Sequence, residues 1–267
     1  MSPTREPDWD KRIERAIDLA GRNTGAHEVL NFYRRILEFQ RTVYEWAAGR
    51  AVSNSAGTFR ERLDVNAAME QLPVLLSLVQ QNGPSKLAKE AADFSREPSR
   101  QCRQALSIFL ESEHADDTQP YSFFARVLFQ PLAEYLAVAS AAGLAGFAGM
   151  VCPVCGAKPQ VAVLRPEGDG GKRFLVCSFC ATEWEFRRVL CPHCGEEEHT
   201  KLPRYTAEGV LAVRVEACET CRHYLKSVDM TVDGLAVPLV DEVATASLDV
   251  WAVESGFQKI SRNPMGF

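Results

Sequence analysis

The sequence has no excess of positive charge and none of the common catalytic motifs. Its 267 residues include 30 Lys and Arg against 35 Asp and Glu, so the formal net charge is -5. Nucleic-acid binding depends mainly on cationic side chains that neutralise phosphates, so we expect no nucleic acid among the partners. The G-x-G-x-x-G, P-loop, G-x-S-x-G and H-E-x-x-H patterns are also missing. We therefore predict no catalytic residues and no enzyme activity.

Long hydrophobic runs are scarce as well. The segment Tyr135 to Val151 lacks charge for 17 residues, which approaches the roughly 20 residues of a membrane-spanning helix, but it is rich in Ala, Gly and Ser rather than Leu. It predicts a buried packing helix and no membrane span. Met1 to Arg12 is charged and has no apolar core after it, which is unlike a signal peptide or an anchor. We expect a cytoplasmic protein.

The first 150 residues contain a single cysteine, Cys102, and predict a helical domain, residues 1–150. From His27 to Arg50, apolar residues recur at steps of three and four, which is typical of an amphipathic helix. Thr58 and Glu61 have the spacing of a capping box, so a second helix is expected from Thr58 towards Gln80, with a kink or a new start at Pro73. Further helices are expected over 85–94, 99–113 and 121–147, the last interrupted at Pro131.

After residue 150, short runs rich in Val, Leu, Phe and Trp predict small antiparallel strands. These runs are Gln160–Arg165, Arg173–Val176, Trp184–Leu190 and Leu211–Glu216. Three-four spacing returns between Leu239 and Val253 and predicts one carboxy-terminal helix that stops at Gly256. The predicted fold class is α+β, with an N-terminal helical bundle, two tandem rubredoxin-like or zinc-ribbon metal modules and a C-terminal helix.

Eight of the nine cysteines form four C-x-x-C pairs. In a reducing compartment, thiols in such a doubled pattern are expected to bind metal and not to form disulfides. The sequence C-P-x-C-G occurs twice, and a second pair follows each copy, so the pattern is an internal repeat. The predicted metal ligands are Cys152, Cys155, Cys177, Cys180, Cys191, Cys194, Cys218 and Cys221.

Consecutive pairs are expected to join around one ion each, although spacing alone also allows an interleaved arrangement. The predicted modules cover residues 151–190 and 191–236, and the C-terminal helix and tail cover 237–267. Four thiolates suit zinc or a single iron and leave no open position for a substrate. Glycine after the second cysteine tolerates positive φ, so backbone N–H groups can turn towards the sulfurs.

Each C-x-x-C pair and the turn around it form a knuckle. Several other side chains near the knuckles are assigned supporting roles. The three histidines of this region are expected to be supporting or solvent-facing groups, because each site already has four cysteines. They are His193, His199 and His223. Trp184 and Tyr224 occupy similar places in the two halves of the repeat and are expected to pack over the metal hairpins.

Residues that flank the cysteines resemble a known family. They are Thr182-Glu183-Trp184, Tyr224-Leu225-Lys226 and a tail with Leu248-Asp249, Gly256-Phe257 and Asn263-Pro264. Their order together with the cysteine pairs resembles the FdhE family, whose members are accessory proteins for formate dehydrogenase. The resemblance runs from about Cys152 to the end of the sequence, and the N-terminal helices match only in type.

The resemblance implies a cytoplasmic maturation factor that binds the catalytic subunit of a respiratory, molybdenum-type formate dehydrogenase. It also implies rubredoxin-like iron at the cysteine pairs. The expected cofactors are therefore two metal ions in four-cysteine sites, with iron favoured over zinc, whereas the spacing alone leaves both metals open. The oligomeric state and the client-binding surface are not predicted.

Three other functions are compatible with parts of the pattern. A rubredoxin-like redox protein would donate electrons to a client metalloenzyme or sense oxygen for it. A zinc-ribbon nucleic-acid binder would use the same cysteine pairs, but the acidic balance of the chain opposes it. A thiol-disulfide catalyst would need thiols that react without removal of a metal.

Overall fold

The computed structural model describes residues 6–22, 25–50, 57–112, 119–140, 146–168 and 170–267. Within these ranges, six helices precede the cysteine-rich half. They are α1 (Trp9–Arg22), α2 (His27–Ala48), α3 (Val65–Asn82), α4 (Ser85–Arg96), α5 (Ser99–Glu111) and α6 (Ser122–Ser140). Their apolar sides form one buried core, in which Phe94 stacks on Tyr121 with ring centroids 3.9 Å apart. The predicted helical bundle is confirmed.

Helix α1 lies in a stretch for which no helix is predicted. Trp9, Ile13 and Ala16 are buried on one of its sides, but charged residues between them obscure the apolar periodicity. One of these charged side chains, Arg12, pairs with a residue of a distant helix: its Nη1 donates to Glu134 Oε1 of α6 at 3.0 Å. Tertiary ion pairing of this kind has no local sequence signal.

Helix α3 begins at Val65, so the predicted start at Thr58 is wrong. The capping-box bonds do form, with the Thr58 amide donating to Glu61 Oε2 at 2.7 Å, but they close a turn and not a helix. The N-cap is Asp64, whose carboxylate accepts from the Asn66 amide at 2.8 Å. No new helix starts at Pro73, because that proline lies inside α3.

Helix α6 is the most deeply buried helix among those described, and Pro131 lies within it without ending it. The helix is described up to Ser140, and Gly146 and Phe147 are not helical, so the prediction of a helix up to Phe147 is wrong at its end. Residues 141–145 of the uncharged stretch lie outside the described residues. No helix in the described ranges is long and apolar enough to cross a membrane.

The cysteine-rich half forms one mixed sheet. Its strands are β1 (Pro159–Glu167), β2 (Gly170–Cys177), β3 (Glu183–Glu185), β4 (Arg204–Ala207), β5 (Val210–Ala217), β6 (His223–Asp229) and β7 (Gln258–Lys259). The order is β3-β2-β1-β6-β5-β4, and β7 pairs with β6. β3-β2-β1 and β6-β5-β4 are antiparallel meanders, and a parallel pairing of β1 with β6 joins them, with Val161 opposite Lys226.

Two of the strand predictions need correction. Only Glu183–Glu185 of the region around Trp184–Leu190 is a strand, because the following residues turn into the next cysteine pair. The β1–β6 and β6–β7 pairs are parallel, where antiparallel strands alone are predicted. Each of β1 and β6 begins soon after a cysteine pair, so their parallel pairing places both pairs at the same end of the sheet.

Both faces of the sheet are covered. Val161 and Val163 of β1 pack in a core that includes Leu248 and Ala252, whereas Ala162 between them belongs to the core that contains the helical half. The covering helices are α7 (Pro238–Ala244) and α8 (Ala246–Glu254). The prediction of a single C-terminal helix is therefore wrong. The helix breaks at Thr245, whose hydroxyl donates to the Asp241 carbonyl at 2.9 Å, and α8 stops before Gly256, where φ is +79°.

A buried charge network joins the sheet to these helices. Lys226 of β6 has no exposed surface, and its Nζ donates to Asp249 Oδ2 at 2.5 Å and lies 3.1 Å from Glu242 Oε1. Lys259 of β7 contacts both carboxylates, and the Tyr224 hydroxyl donates to Asp249 Oδ1 at 2.8 Å. Two cations therefore balance two anions inside the protein.

The carboxylate of Glu242 is held in its charged form. Burial alone would raise its pKa, but the nearby ammonium groups of Lys226 and Lys259 lower the pKa of Glu242 to about 2. Gln160 and Asn263 donate to its second oxygen at 3.2 and 2.8 Å. These bonds connect β1 and the C-terminal tail to α7.

Replacement of Lys226 by Met is expected to destabilise the chain strongly. The variant leaves two buried carboxylates with one cation, and loss of one partner of a buried pair costs about 3–5 kcal/mol in the free energy of unfolding. Urea unfolding at constant metal content measures the change. Lys172→Met is the control, because the ion pair of Lys172 with Glu185 lies at the surface and contributes little. Equal stability of the two variants would contradict the proposed importance of the network.

Candidate metal centres

The first cysteine cluster contains the two pairs that flank the β1–β2 hairpin. The Sγ atoms of Cys152 and Cys180 are 3.6 Å apart, and those of Cys155 and Cys177 are 3.3 Å apart. All four sulfur atoms lie within 4.8 Å of one another. None of these cysteines is in a disulfide, so all four sulfurs can act as ligands.

The second cluster repeats this arrangement at the β4–β5 hairpin. Cys191 and Cys221 have their Sγ atoms 3.8 Å apart, and Cys194 and Cys218 have theirs 3.7 Å apart. The structure thus brings consecutive pairs together and not interleaved ones. All eight cysteines predicted as ligands lie in these two clusters, and Cys102 stands apart, buried among the helices.

These distances fit a tetrahedral four-sulfur site. A metal–sulfur bond of about 2.3 Å places the sulfurs of an ideal tetrahedron about 3.8 Å apart. The sulfurs in both clusters are close to that spacing, and far from the roughly 2.05 Å of a disulfide bond. Four thiolates form the soft, closed ligand set that zinc and single iron ions prefer, with no position left for a substrate.

The backbone of the four knuckles is nearly the same. In each, the amide of the first cysteine donates to the carbonyl five residues later, at 2.8–2.9 Å. The residue after the second cysteine has positive φ in every knuckle: Gly156 (+73°), Ala181 (+52°), Gly195 (+79°) and Arg222 (+57°). Positive φ at the two glycines agrees with the prediction. The positive φ of Ala181 and of Arg222 could not be predicted from the sequence, because neither residue type favours this conformation.

Backbone amides point at the sulfurs, as the sequence predicts. The Val154 amide lies 3.4 Å from Cys152 Sγ, the Phe179 amide 3.3 Å from Cys177 Sγ, and the His193 amide 3.4 Å from Cys191 Sγ. Such bonds stabilise negative charge on a thiolate and hold the ligand in place. In all three cases the donor is the residue immediately before the second cysteine of the knuckle.

The thiols of each cluster influence one another's protonation. Burial raises the pKa of Cys177 and of Cys180 well above the ordinary value, while hydrogen bonds from neighbouring thiols lower the pKa of Cys152. Burial likewise raises the pKa of Cys191 to about 11. Four adjacent thiols therefore do not all ionise at neutral pH by themselves, and a divalent cation would supply the charge that makes four thiolates stable.

The two clusters differ in exposure. In the first, Cys152, Cys177 and Cys180 are buried and belong to the core shared with the helices, and Gln130 of α6 donates to the Ser178 carbonyl at 3.0 Å. In the second, Cys194 is exposed and Cys221 is half-buried. The first cluster is part of the interior, and the second reaches the surface.

Two of the three histidines lie beside the second cluster. The rings of His193 and His223 stack with centroids 3.6 Å apart and an angle of 11° between the planes. Their nitrogens and Cys221 Sγ lie within 4.8 Å of one another. Burial and the neighbouring His223 lower the pKa of His193, which favours its neutral ring. His199 is exposed and lies outside this group.

Trp184 and Tyr224 are both buried, as their equivalent positions suggest. The Trp184 indole donates to the Gly149 carbonyl at 2.9 Å, close to the start of the first knuckle. The Tyr224 hydroxyl instead donates to Asp249 and so belongs to the charge network. The network residues Glu242 and Lys259 are absent from the sequence-based predictions, because nothing in their local sequence indicates that distant charges pair.

Comparison with known proteins identifies the cysteine-rich half. Residues 151–188 match the family model described as "FdhE, central domain", and residues 189–265 match "FdhE, C-terminal domain". Residues 151–265 of this chain therefore match the FdhE family over both of these domains. The resemblance carried by its cysteine pairs and tail is thereby confirmed.

Individual relatives extend the FdhE match to the helices. A protein FdhE homolog of Aquifex aeolicus is 29% identical over 255 residues, which cover 91% of this chain and 89% of the relative. The homolog of Pseudomonas aeruginosa is 36% identical over 118 residues, and this segment spans only 38% of its length. The crystal structure of the FdhE protein from Pseudomonas aeruginosa matches with a TM-score of 0.74 at 22% identity, over 98% of this chain and 97% of that one. That likeness shows a common fold.

Addition of a methyl group at Gly156 is expected to strain the first knuckle. Gly156 has φ +73° and no atom within 4 Å of an added Cβ, so the cost of Gly156→Ala is conformational, about 1–2 kcal/mol in the free energy of unfolding. Gly21→Ala in α1 is a matched control, because an added Cβ there also meets no atom within 4 Å and helical glycine is itself unfavourable.

The control is expected to be neutral or stabilising, and Ala181→Gly should stabilise its knuckle by relieving the same strain. Unfolding in urea at matched metal content measures all three variants. If Gly156→Ala and Gly21→Ala had the same stability, the left-handed backbone of the knuckle would not limit stability.

Proposed function

We propose that this chain is a cytoplasmic accessory protein for the assembly or maturation of formate dehydrogenase and that it binds the catalytic subunit of that enzyme. The FdhE family implies an accessory role of this kind. The observation that carries the proposal is that residues 151–265 match the FdhE domains and contain two complete four-cysteine clusters. Closed four-thiolate sites without an open ligand position agree with a role other than catalysis.

The eight clustered cysteines would hold two metal ions, and we propose iron in preference to zinc. Knuckles of both clusters supply amide N–H groups close to sulfur, and such bonds adjust the potential of an iron–thiolate centre. Bound iron would supply one-electron chemistry. In either case the ion would fix the ends of a hairpin that cannot bury a large core of its own.

The metal assignment predicts that Cys152→Ser with Cys155→Ser removes one ion. Metal content of protein purified without oxygen is expected to fall from two ions per chain to one, because the second cluster shares no ligand with the first. The visible spectrum identifies the metal, since iron–thiolate bands are coloured and zinc is colourless. Cys102→Ser is the control and should keep two ions. Two ions per chain in the double variant would contradict the pairing of the knuckles.

The client assignment predicts a complex with the catalytic subunit. The tagged full chain is expected to retain the formate dehydrogenase catalytic subunit from the source organism, and deletion of the gene is expected to lower formate dehydrogenase activity. Restoration of the gene should restore the activity. Full activity in the deletion strain together with no retained subunit would overturn the proposal.

A second function is favoured by the exposure of Cys194. A four-thiolate iron site with an exposed ligand can exchange electrons with a partner, so the chain would act as a rubredoxin-like electron donor or oxygen sensor for its client. A reversible ferric–ferrous absorbance change supports this function. A pair of colourless zinc ions rules it out.

A further inference from the structure

The second cluster is more open to solvent on one side than the first cluster, in which Cys155 alone is half-buried and no cysteine is exposed. Cys191 and Cys218 are buried, but Cys194 is exposed and Cys221 is half-buried. No cysteine of this cluster belongs to either hydrophobic core, whereas Cys152, Cys177 and Cys180 all belong to the core that contains the helices. A metal ion in the second cluster would therefore lie closer to water than an ion in the first.

The open side carries two additional nitrogen donors. His193 lies between the cysteines of its own knuckle, and His223 follows Cys221 by two residues. The Nδ1 atom of His223 is 2.8 Å from the Cys221 carbonyl oxygen. Because a carbonyl can only accept, Nδ1 carries a proton, and the lone pair of the neutral ring is then on Nε2. His193 Nδ1 is buried without a hydrogen-bond partner among the described residues.

The geometry of the two rings suits a transient ligand. Their nitrogens lie within 4.8 Å of Cys221 Sγ and of each other, which is near enough for an ion to pass from sulfur to nitrogen. The planes are within 11° of parallel and the ring centroids are 3.6 Å apart, so the nitrogen lone pairs lie in two separate planes and do not converge on one ion. One imidazole at a time can therefore bind, which differs from a permanent two-histidine site.

A closed four-thiolate site exchanges its ion only when another donor replaces a sulfur. Neutral imidazole is a good ligand for zinc and iron, and here it stands beside the half-buried thiolate of Cys221. We propose that metal enters and leaves this protein at the second cluster, with His193 and His223 as transient ligands, while the ion of the first cluster stays in place. This inference rests on the metal binding put forward under the proposed function.

Zinc release from the full chain tests the proposal. The chain is loaded with zinc, its two-ion content is verified, and a chromogenic pyridylazo-resorcinol chelator is added. One equivalent is expected to leave at least about tenfold faster than the other. Alkylation and mass spectrometry at the end of the fast phase should find Cys194 and Cys221 modified, with the first cluster protected. Release of both ions at one rate, or modification of the first cluster, would overturn the assignment.

Histidine variants test the role of the rings. The double variant His193→Ala with His223→Ala is expected to bind two ions but to release the first ion about tenfold more slowly, because the imidazoles that would replace a thiolate are lost. His199→Ala is the matched control and should release zinc like the wild-type chain. If the rings only supported the cluster, their loss would speed release, so unchanged or faster release in the double variant would overturn their proposed role. A chain that binds no zinc would fail the initial content measurement, which identifies a failure of the proposed function itself.

Discussion

The buried ammonium group of Lys226 is the point on which the cysteine-rich half depends. It lies on the central strand β6, where the two meanders meet, and it neutralises the carboxylates of Glu242 and Asp249 on α7 and α8. Without it, Lys259 would be the one cation among the described residues facing two buried carboxylates, and a buried charge without its own partner is strongly destabilising. A single residue thereby fixes both covering helices to the sheet, and Lys259 adds the C-terminal tail. Four of the twelve residues that carry the FdhE resemblance outside the cysteine pairs belong to this network: Tyr224, Lys226, Asp249 and Asn263.

The parallel pairing of β1 with β6 makes the two cysteine modules one unit. Each module is a three-stranded meander with few core residues of its own, and metal ligation alone would leave it as a small, independent ribbon. Here the β1 valines belong to a core that they share with residues of α8, while the intervening Ala162 belongs to the core that contains the helical half. The same pairing brings both clusters to one end of the sheet. Two closed, negatively charged four-thiolate sites would then lie side by side, which agrees with the presence of Lys158 near His193.

Sequence reasoning recovered features that are encoded locally. The cysteine spacing, the two knuckle glycines and the apolar periodicity of α2 depend on residues a few positions apart, and the structure agrees with each of them. The features that it missed depend on distant partners. The start of α3 is set by Asp64, although Thr58 and Glu61 make the bonds of a capping box. Strand β6 contains Lys226, whose charge interrupts the hydrophobic pattern of the strand. The burial of this lysine is explained by its ion pairs with Glu242 and Asp249, which are distant in the sequence. Likewise, no local pattern specifies that β1 pairs with β6 in parallel.

The two modules have nearly the same local structure but different surroundings, so they need not have the same role. Their knuckles share hydrogen bonds and backbone conformation, so the local sequence builds equivalent ligand sets. Their surroundings come from the rest of the fold: α6 donates to Ser178 and covers the first cluster, while no helix supplies an equivalent cover to the second among the described residues. A buried four-thiolate site is protected from competing ligands, and an exposed one is accessible to them. The duplication therefore provides one site suited to holding the fold together and a second site whose ion can be reached from outside.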